Sequence, residues 1–264
     1  MSTDARMSGA EKYNAYNGMN QTSKMAAGSV AMLASVRDAH EAKLCVSAGV
    51  DFIDAKEPRR GALGAVSLKT LRSIRDVVPA HIPLSATLGD DVCEAVKIAA
   101  AAHASAQAGA DIIKVGLFSG VNIVATLNML EQQNLPPERV VVVLLVDRDP
   151  DFSVIATLAD AGIYGVMLDT VNKTAGGLLG CLSLAHLAEF IQIAQGLGLR
   201  AGLAGGLTLQ DLPRILSCGP DIVGFRGALS ALQDRTTELD RKALNDIRAA
   251  VPRLEATRPV TVNY

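Results

Sequence analysis

The sequence predicts a single-domain (β/α)8 barrel. Short apolar runs alternate with amphipathic helical segments along most of the 264 residues, which is typical of parallel strands joined by crossover helices. Eight such runs are present, and one short pattern returns at a spacing of two strand–helix units. A chain of about 250 residues is also the usual size of a (β/α)8 barrel.

The predicted strands are short and rich in Val, Leu, Ile and Ala. They are Val30–Val36, Asp51–Ala55, Ile82–Thr87, Asp111–Gly116, Val140–Asp147, Gly165–Asp169, Arg200–Ala204 and Asp221–Phe225. Continuous apolar runs suit strands that are covered on both faces. Between them, segments such as 67–78, 91–108 and 183–197 have the apolar spacing of amphipathic helices.

The recurring pattern is a small residue, a glycine and then the start of a strand. Its four copies begin at Ala48, Ala108, Ala161 and Cys218, so that they lie 53–60 residues apart. The glycine is typical of a helix end, and the residues after it begin strands 2, 4, 6 and 8. A repeat of two βα units favours a closed barrel, with an open doubly wound sheet as the alternative.

The two ends of the chain differ from the barrel segment. Residues 1–28 are polar and contain several glycines, so we expect a flexible N-terminal extension there. The catalytic barrel is predicted over residues 29–251, and residues 252–264 are expected to form an irregular C-terminal tail.

Composition excludes several classes of protein. Twenty-five basic and 27 acidic side chains with only 3% aromatic residues give no surface or stacking platform for nucleic acid. The four cysteines and four histidines are scattered, so we expect no metal and no cofactor. Without an apolar run of about 18 residues or a signal segment, we expect a cytoplasmic protein with no membrane partner. A homo-oligomer is compatible with the sequence, which marks no interface.

Three of the nine lysines, Lys56, Lys114 and Lys173, fall at or just after strands 2, 4 and 6. Active sites of (β/α)8 barrels lie at the carboxyl ends of the strands, so these lysines are candidate catalytic residues. Asp54 and Asp169 end strands 2 and 6. The strand period of two places Asp54 and Lys56 on the same side of their strand, which faces the barrel axis if the residues between them pack outward.

Lysines gathered at one barrel mouth favour a particular chemistry. Their charges repel one another and partial burial disfavours the charged form, so at least one amine is expected to be neutral and nucleophilic. The two aspartates can keep another lysine protonated as an acid, a division that suits carbonyl chemistry through a Schiff base. The alternative is that these residues form structural Lys–Asp pairs that close the barrel mouth.

Glycines at the ends of strands 7 and 8 predict a phosphate site. The loops after these strands commonly bind phosphate through backbone N–H groups, and Arg226 would add a bidentate donor. Ordinary glycine turns are the alternative. The candidate substrate- and phosphate-binding residues are Gly205, Gly206, Arg226, Gly227, Ser85 and Thr87.

Two features near strands 2 and 3 complete the candidate site. The basic loop 58–64 either reaches a second phosphate or is a solvated surface loop. Asp90 follows strand 3 and is expected to cap a helix, with the orientation of a lysine as the alternative.

Six short motifs lie in order over about residues 30–230. They are D-A-K-E-P with G-A-L-G (54–58 and 61–64), S-A-T-L-G-D (85–90), K-V-G-L (114–117), M-L-D-T with Lys173 (167–170), L-A-G (203–205) and D-I-V-G-F-R-G (221–227). In these motifs the chain resembles the (5-formylfuran-3-yl)methyl phosphate synthases of methanofuran biosynthesis. The first, third and fourth motifs are the specific ones.

The resemblance implies a (β/α)8 lyase of one-carbon metabolism that condenses two molecules of glyceraldehyde 3-phosphate into a furan aldehyde phosphate, with loss of phosphate and water. It implies that Lys56 forms the Schiff base and that Lys114 is the proton acceptor. Asp54, Asp169 and Lys173 would complete the catalytic set. A class I aldolase acting on another sugar phosphate, and a non-catalytic barrel that binds a phosphorylated ligand, are the alternatives.

Overall fold

A computed structural model describes residues 29–148, 151–172 and 176–253. In these residues eight parallel strands pair in chain order, and the last pairs with the first to close the sheet. The predicted (β/α)8 barrel is confirmed, and the open doubly wound sheet is excluded. The predicted extension 1–28 and the tail from residue 254 onwards lie outside the described residues.

The strands and helices alternate around the barrel. The strands are β1 (Ala31–Val36), β2 (Phe52–Ala55), β3 (Leu84–Thr87), β4 (Ile112–Leu117), β5 (Val140–Leu145), β6 (Gly165–Asp169), β7 (Arg200–Leu203) and β8 (Ile222–Phe225). The helices are α1 (Ala39–Ala48), α2 (Leu68–Arg75), α3 (Ala95–Gln107), α4 (Ile123–Gln132), α5 (Val154–Asp160), α6 (Gly177–Cys181), α7 (Leu184–Gly196), α8 (Leu212–Leu216) and α9 (Arg241–Ala250). In the described part of the chain, every helix is too short or too polar to cross a bilayer.

Side chains along the strands alternate between two apolar layers. Ile53 and Ala55 of β2 belong to the larger cluster, which also contains helix residues such as Phe190. Residues such as Leu33 and Met167 belong to a second cluster that fills the barrel interior. This alternation is the one that a closed barrel requires. The residues of β2 that lie between the outward-facing ones therefore face the barrel axis, as the sequence predicts.

The recurring sequence pattern has a structural role at the amino-terminal end of the barrel. Asp51, Asp111 and Asp221 each stand one residue before an even-numbered strand and accept a hydrogen bond from a backbone N–H group of the strand before it. The donors are Met32, Leu84 and Ala201, each at 2.8 Å. The same carboxylates pair with Arg248, Arg75 and Arg200 at 2.6, 2.8 and 3.0 Å. The pattern therefore joins neighbouring strands at the end opposite the predicted site.

Candidate active site

Four of the five predicted catalytic residues lie together inside the barrel, towards the carboxyl ends of the strands. Asp54 and Lys56 come from β2 and the residue after it, Lys114 from β4, and Asp169 from the last position of β6. All four are buried, with exposed fractions of 0–6%. Lys173 lies outside the described residues, so its place in the site stays a prediction.

The carboxylate of Asp54 is held from three sides. Its Oδ1 atom accepts a hydrogen bond from the Ser85 hydroxyl at 2.6 Å and lies 3.3 Å from Nζ of Lys114. Its Oδ2 atom accepts from the Ser35 hydroxyl at 2.8 Å. Burial by itself would raise the pKa of Asp54, but the charges of Lys114 and Lys56 and the two serine hydrogen bonds lower it below its ordinary value. Asp54 is therefore an anion at neutral pH.

A second ion pair connects β2 with β6 across the barrel. Nζ of Lys56 lies 3.8 Å from Oδ2 of Asp169, and Oδ1 of Asp169 accepts a hydrogen bond from the backbone N–H of Thr170 at 2.7 Å. At 3.8 Å the lysine–aspartate contact is longer than a hydrogen bond, so the attraction is electrostatic. The amine of Lys56 therefore has a base nearby, at a distance longer than a hydrogen bond.

The burial of these pairs favours a functional interpretation. Desolvating two lysines and two aspartates is expensive, and apolar residues of similar volume hold a core as well or better. Stability alone is therefore a weak reason for placing four charges inside a barrel. The geometry favours a reactive site over structural pairs that close the barrel mouth.

The floor of the site is apolar. Below Lys114 there is a cavity of about 20 Å³, lined by side chains that include Leu33, Phe52 and Met167. This volume has room for roughly one water molecule, and an apolar lining gives that water few partners. A substrate therefore has to approach the lysines from the carboxyl end of the barrel.

Thr87 and Asp90 hold the loop that follows Lys56. The Thr87 hydroxyl donates to the carbonyl oxygen of Gly64 at 3.0 Å. Asp90 accepts hydrogen bonds from the backbone N–H groups of Ala62 and Leu63, both at 2.7 Å. The prediction that Asp90 caps a helix is wrong, because the next helix begins after Glu94 and the loop presents two free N–H groups to this carboxylate.

The loop after β7 has the backbone of a phosphate site. Gly205 and Gly206 have φ angles of +107° and +69°, which favour glycine. Within the described residues, the backbone N–H groups of Gly205, Gly206 and Gly227 have no hydrogen-bond acceptor. The buried hydroxyl of Thr170, against which Gly205 packs, also has no partner there. In the described part of the chain, these three N–H groups and the buried Thr170 hydroxyl are therefore hydrogen-bonding groups that the protein does not use.

Arg226 has a different environment from the one predicted. Its guanidinium group is buried and makes two hydrogen bonds to the carboxylate of Glu41. Its remaining N–H groups donate to the carbonyl oxygens of Ser35, Arg235 and Thr237. All five N–H groups of the fork are therefore used inside the protein. The predicted phosphate contact of Arg226 does not fit this structure, because the bidentate partner is a buried carboxylate.

Ser85 and Ser35 act on Asp54 rather than at the barrel mouth. Ser85 was a candidate for substrate binding, but its short bond is to the Asp54 carboxylate. Ser35 was not among the sequence candidates. One sequence feature could have identified it: Ser35 is the one hydroxyl residue in the apolar strand β1 (AMLASV). The strand period of two places it on the inner face.

A family model described as 4-HFC-P synthase matches residues 32–248. The chain belongs to the 4-HFC-P synthase family. The match spans the whole barrel, from β1 to α9, and includes every described residue of the candidate site.

Relatives of the 4-HFC-P synthase family are similar over nearly the full barrel. A protein of Methylorubrum extorquens is 38% identical over 229 residues, which cover 85% of this chain and 94% of the relative. A (5-formylfuran-3-yl)methyl phosphate synthase of Methanocaldococcus jannaschii is 33% identical over 229 residues and covers 82% of this chain and 97% of its own. The resemblance found in the motifs is confirmed. Because the chain belongs to a family of synthases, it is an enzyme.

Solved structures show the same fold at low sequence identity. A phosphoribosyl anthranilate isomerase of Thermus thermophilus superposes with a TM-score of 0.61 at 12% identity, covering 84% of this chain and 98% of its own. A 3-hexulose-6-phosphate synthase superposes with a TM-score of 0.58 at 17% identity, covering 84% of this chain and 100% of its own. At these identities the 4-HFC-P synthase chain shares only its fold with them.

Proposed function

We propose that the protein condenses two molecules of glyceraldehyde 3-phosphate into (5-formylfuran-3-yl)methyl phosphate through an imine on Lys56. The product is a precursor of a methanofuran-type one-carbon carrier. The reaction releases one phosphate and two molecules of water, which makes the enzyme a carbon–oxygen lyase. The observation behind the proposal is the convergence of Lys56, Lys114, Asp54 and Asp169 in a family of (5-formylfuran-3-yl)methyl phosphate synthases.

The first step is imine formation. The neutral amine of Lys56 attacks the aldehyde carbon of one triose phosphate, a C–N bond forms, and the carbonyl oxygen leaves as water. Asp169, 3.8 Å from the amine, is placed to accept the proton that the lysine must give up. The protonated imine then acts as the electron sink for the later steps.

The second step is proton transfer at the carbon next to the imine. Lys114 lies in the same site, and in our proposal its neutral amine form removes this proton, which gives an enamine. The electron pair of the enamine then expels the phosphate from the third carbon. Asp54, 3.3 Å from Nζ of Lys114, stabilises the ammonium group formed by the transfer.

The remaining steps join the two trioses. The dephosphorylated fragment forms a carbon–carbon bond with the second triose phosphate, and ring closure with loss of two molecules of water gives the aromatic furan. Hydrolysis of the imine returns the amine of Lys56 and takes up the water released when the imine formed. We assign to Lys173 the role of a second acid or base in these steps.

The phosphate group is bound, in our proposal, at the loops after β7 and β8. The free N–H groups of Gly205, Gly206 and Gly227, together with the unpartnered hydroxyl of Thr170, support this assignment. The hydroxyl groups of Ser85 and Thr87 donate to Asp54 and to the carbonyl oxygen of Gly64, so these residues stabilise the site rather than bind the phosphate. The enzyme would act in the cytoplasm on small phosphorylated aldehydes, with no cofactor and with no nucleic-acid or membrane partner.

Borohydride trapping tests the proposal. The protein is incubated with glyceraldehyde 3-phosphate and sodium borohydride, digested, and analysed by mass spectrometry. A stable adduct on Lys56 is expected, and it should persist in Lys69→Ala, which removes an exposed lysine of α2, and disappear in Lys56→Ala. An untrapped native protein, or an undiminished adduct in Lys56→Ala, would refute the imine.

Product analysis separates the proposed reaction from an aldol reaction. A furan aldehyde phosphate with one phosphate released for each pair of trioses supports the synthase. An open-chain sugar phosphate that retains both phosphates would instead identify a class I aldolase.

A further inference from the structure

Two serines surround the one carboxylate of the site that has no exposed surface. Ser35 on β1, Asp54 on β2 and Ser85 on β3 are register partners in three neighbouring strands. Both serines are 2% exposed and Asp54 is 0% exposed. The three side chains therefore form one buried row across the inner face of the sheet, below the barrel mouth.

The hydrogen bonds divide the two oxygens of Asp54 between different partners. Oδ2 accepts from Ser35 at 2.8 Å, whereas Oδ1 accepts from Ser85 at 2.6 Å and faces Nζ of Lys114 at 3.3 Å. A serine hydroxyl has a single proton to donate. Rotation of the carboxylate would break both serine bonds, so the oxygen that faces Lys114 is fixed.

The same hydrogen bonds oppose protonation of Asp54. A proton on Oδ2 would point towards the hydroxyl of Ser35, which would then have to turn its own proton away from its acceptor. Ser85 has one other acceptor, the carbonyl oxygen of Ile53 at 3.4 Å, which is a much longer contact. Leaving a buried donor without a good acceptor is costly.

Two lysines face Asp54. Lys114 approaches from β4 and Lys56 from the residue after β2, whereas β1 and β3 contribute only hydroxyl groups. Asp169 on β6 contacts Lys56. The surroundings of Asp54 in the described chain thus favour the anion in every state in which Lys114 is charged.

We infer that Ser35 and Ser85 are positioning residues that keep Asp54 ionised and aimed at Lys114 while protons move through that lysine. This inference rests on the proposed function of Lys114. It assigns to Asp54 a fixed negative charge, with no proton transfer of its own. The two serines act through Asp54 and do not touch the substrate.

The test measures the titration of Asp54 and the steady-state kinetics in Ser35→Ala and Ser85→Ala. Carbon-13 carboxyl resonances of the protein are followed against pH, and Asp54 is identified by its absence in Asp54→Asn. Each serine variant is expected to raise the pKa of Asp54 by about one unit, because a hydrogen bond to a charged group is lost. It is also expected to lower kcat at least tenfold while KM changes less than twofold.

A matched control and a double variant separate positioning from a general loss of structure. Ser105→Ala removes a buried hydroxyl on α3, away from the site, and should leave both measurements unchanged. In the Asp54→Asn background, adding Ser35→Ala should produce little further loss of kcat, since both changes remove one interaction. If an alanine variant does not fold, Ser35→Cys and Ser85→Cys retain a weak donor of similar size and should show smaller shifts in the same direction.

The outcomes are distinguishable from those of the imine experiment. If trapping at Lys56 succeeds but the Asp54 titration and kcat of the serine variants match those of the native protein, the positioning role is overturned and the proposed function stands. If trapping fails, the proposed function falls, and an unshifted carboxyl titration still overturns the serine inference. Equal shifts in Ser105→Ala would also overturn it.

Discussion

Glu41→Gln tests whether Arg226 belongs to an internal network. Glu41 is 1% exposed and accepts hydrogen bonds from both Arg37 and Arg226. Glutamine has nearly the same shape but no charge, so the change leaves the guanidinium of Arg226 buried and uncompensated. Removing one partner of a buried pair costs about 3–5 kcal/mol. This is a large part of the roughly 5–15 kcal/mol that stabilises a typical protein.

The assay is urea unfolding at constant pH, supported by thermal unfolding. A loss of about 3–5 kcal/mol corresponds to a fall in Tm of about 6–20 °C for a chain of this size. Glu131→Gln, a change of an exposed residue on α4, should stay within about 0.5 kcal/mol of the native protein. A loss below about 1 kcal/mol in Glu41→Gln, with a raised KM for the triose phosphate in Arg226→Lys, would refute the network and restore Arg226 as a phosphate ligand.

Three further changes test other parts of the structure. Asp51→Ala should lower the free energy of unfolding by about 3 kcal/mol in urea, because it leaves the buried Arg248 unpaired, and kcat should not change. Gly205→Ala should raise KM for glyceraldehyde 3-phosphate and destabilise the fold by about 1–3 kcal/mol. The φ angle of Gly205 is +107°, and an added methyl group would press on Thr170. An unchanged KM would count against the phosphate site. The pKa of Asp54 is lower in the folded protein, so its stabilisation is complete above the ordinary value of 3.8 and is lost as the pH falls through the lower folded value. As the pH falls below 3.8, the free energy of unfolding in urea should therefore decrease more steeply in the native protein than in Asp54→Asn.

The local pattern of the sequence was sufficient for the fold and for the centre of the site. Apolar runs located all eight strands with ends within two residues of those observed. The lysines were recognisable because a barrel brings the ends of distant strands to one mouth, so that position along a strand predicts position in the site. Lys56 and Lys114 could therefore be selected as candidates without knowledge of the residues that surround them.

Contacts between distant residues were beyond the reach of that pattern. Arg226 follows β8 and looks like a ligand at the barrel mouth, but its partner Glu41 lies 185 residues earlier. Asp90 lies where a helix cap is expected, but the N–H groups that it accepts from are 27 and 28 residues earlier in the chain. In both cases the polar side chain bonds to residues far away in the sequence, which local spacing does not indicate. The predicted local role was therefore wrong.

The aspartates that precede β2, β4 and β8 stabilise the end of the barrel opposite the proposed active site. Carboxylates at one end of the barrel join β1 to β2, β3 to β4 and β7 to β8, whereas the proposed active site lies at the other end. The fourth copy of the pattern has Tyr164 in that position, before β6. Changes to the loops around the proposed site would thus leave the contacts at the amino-terminal end of the barrel intact. Between β5 and β6 the described residues have no such carboxylate, and five register pairs from Val141–Gly165 to Leu145–Asp169 join the two strands through their backbones.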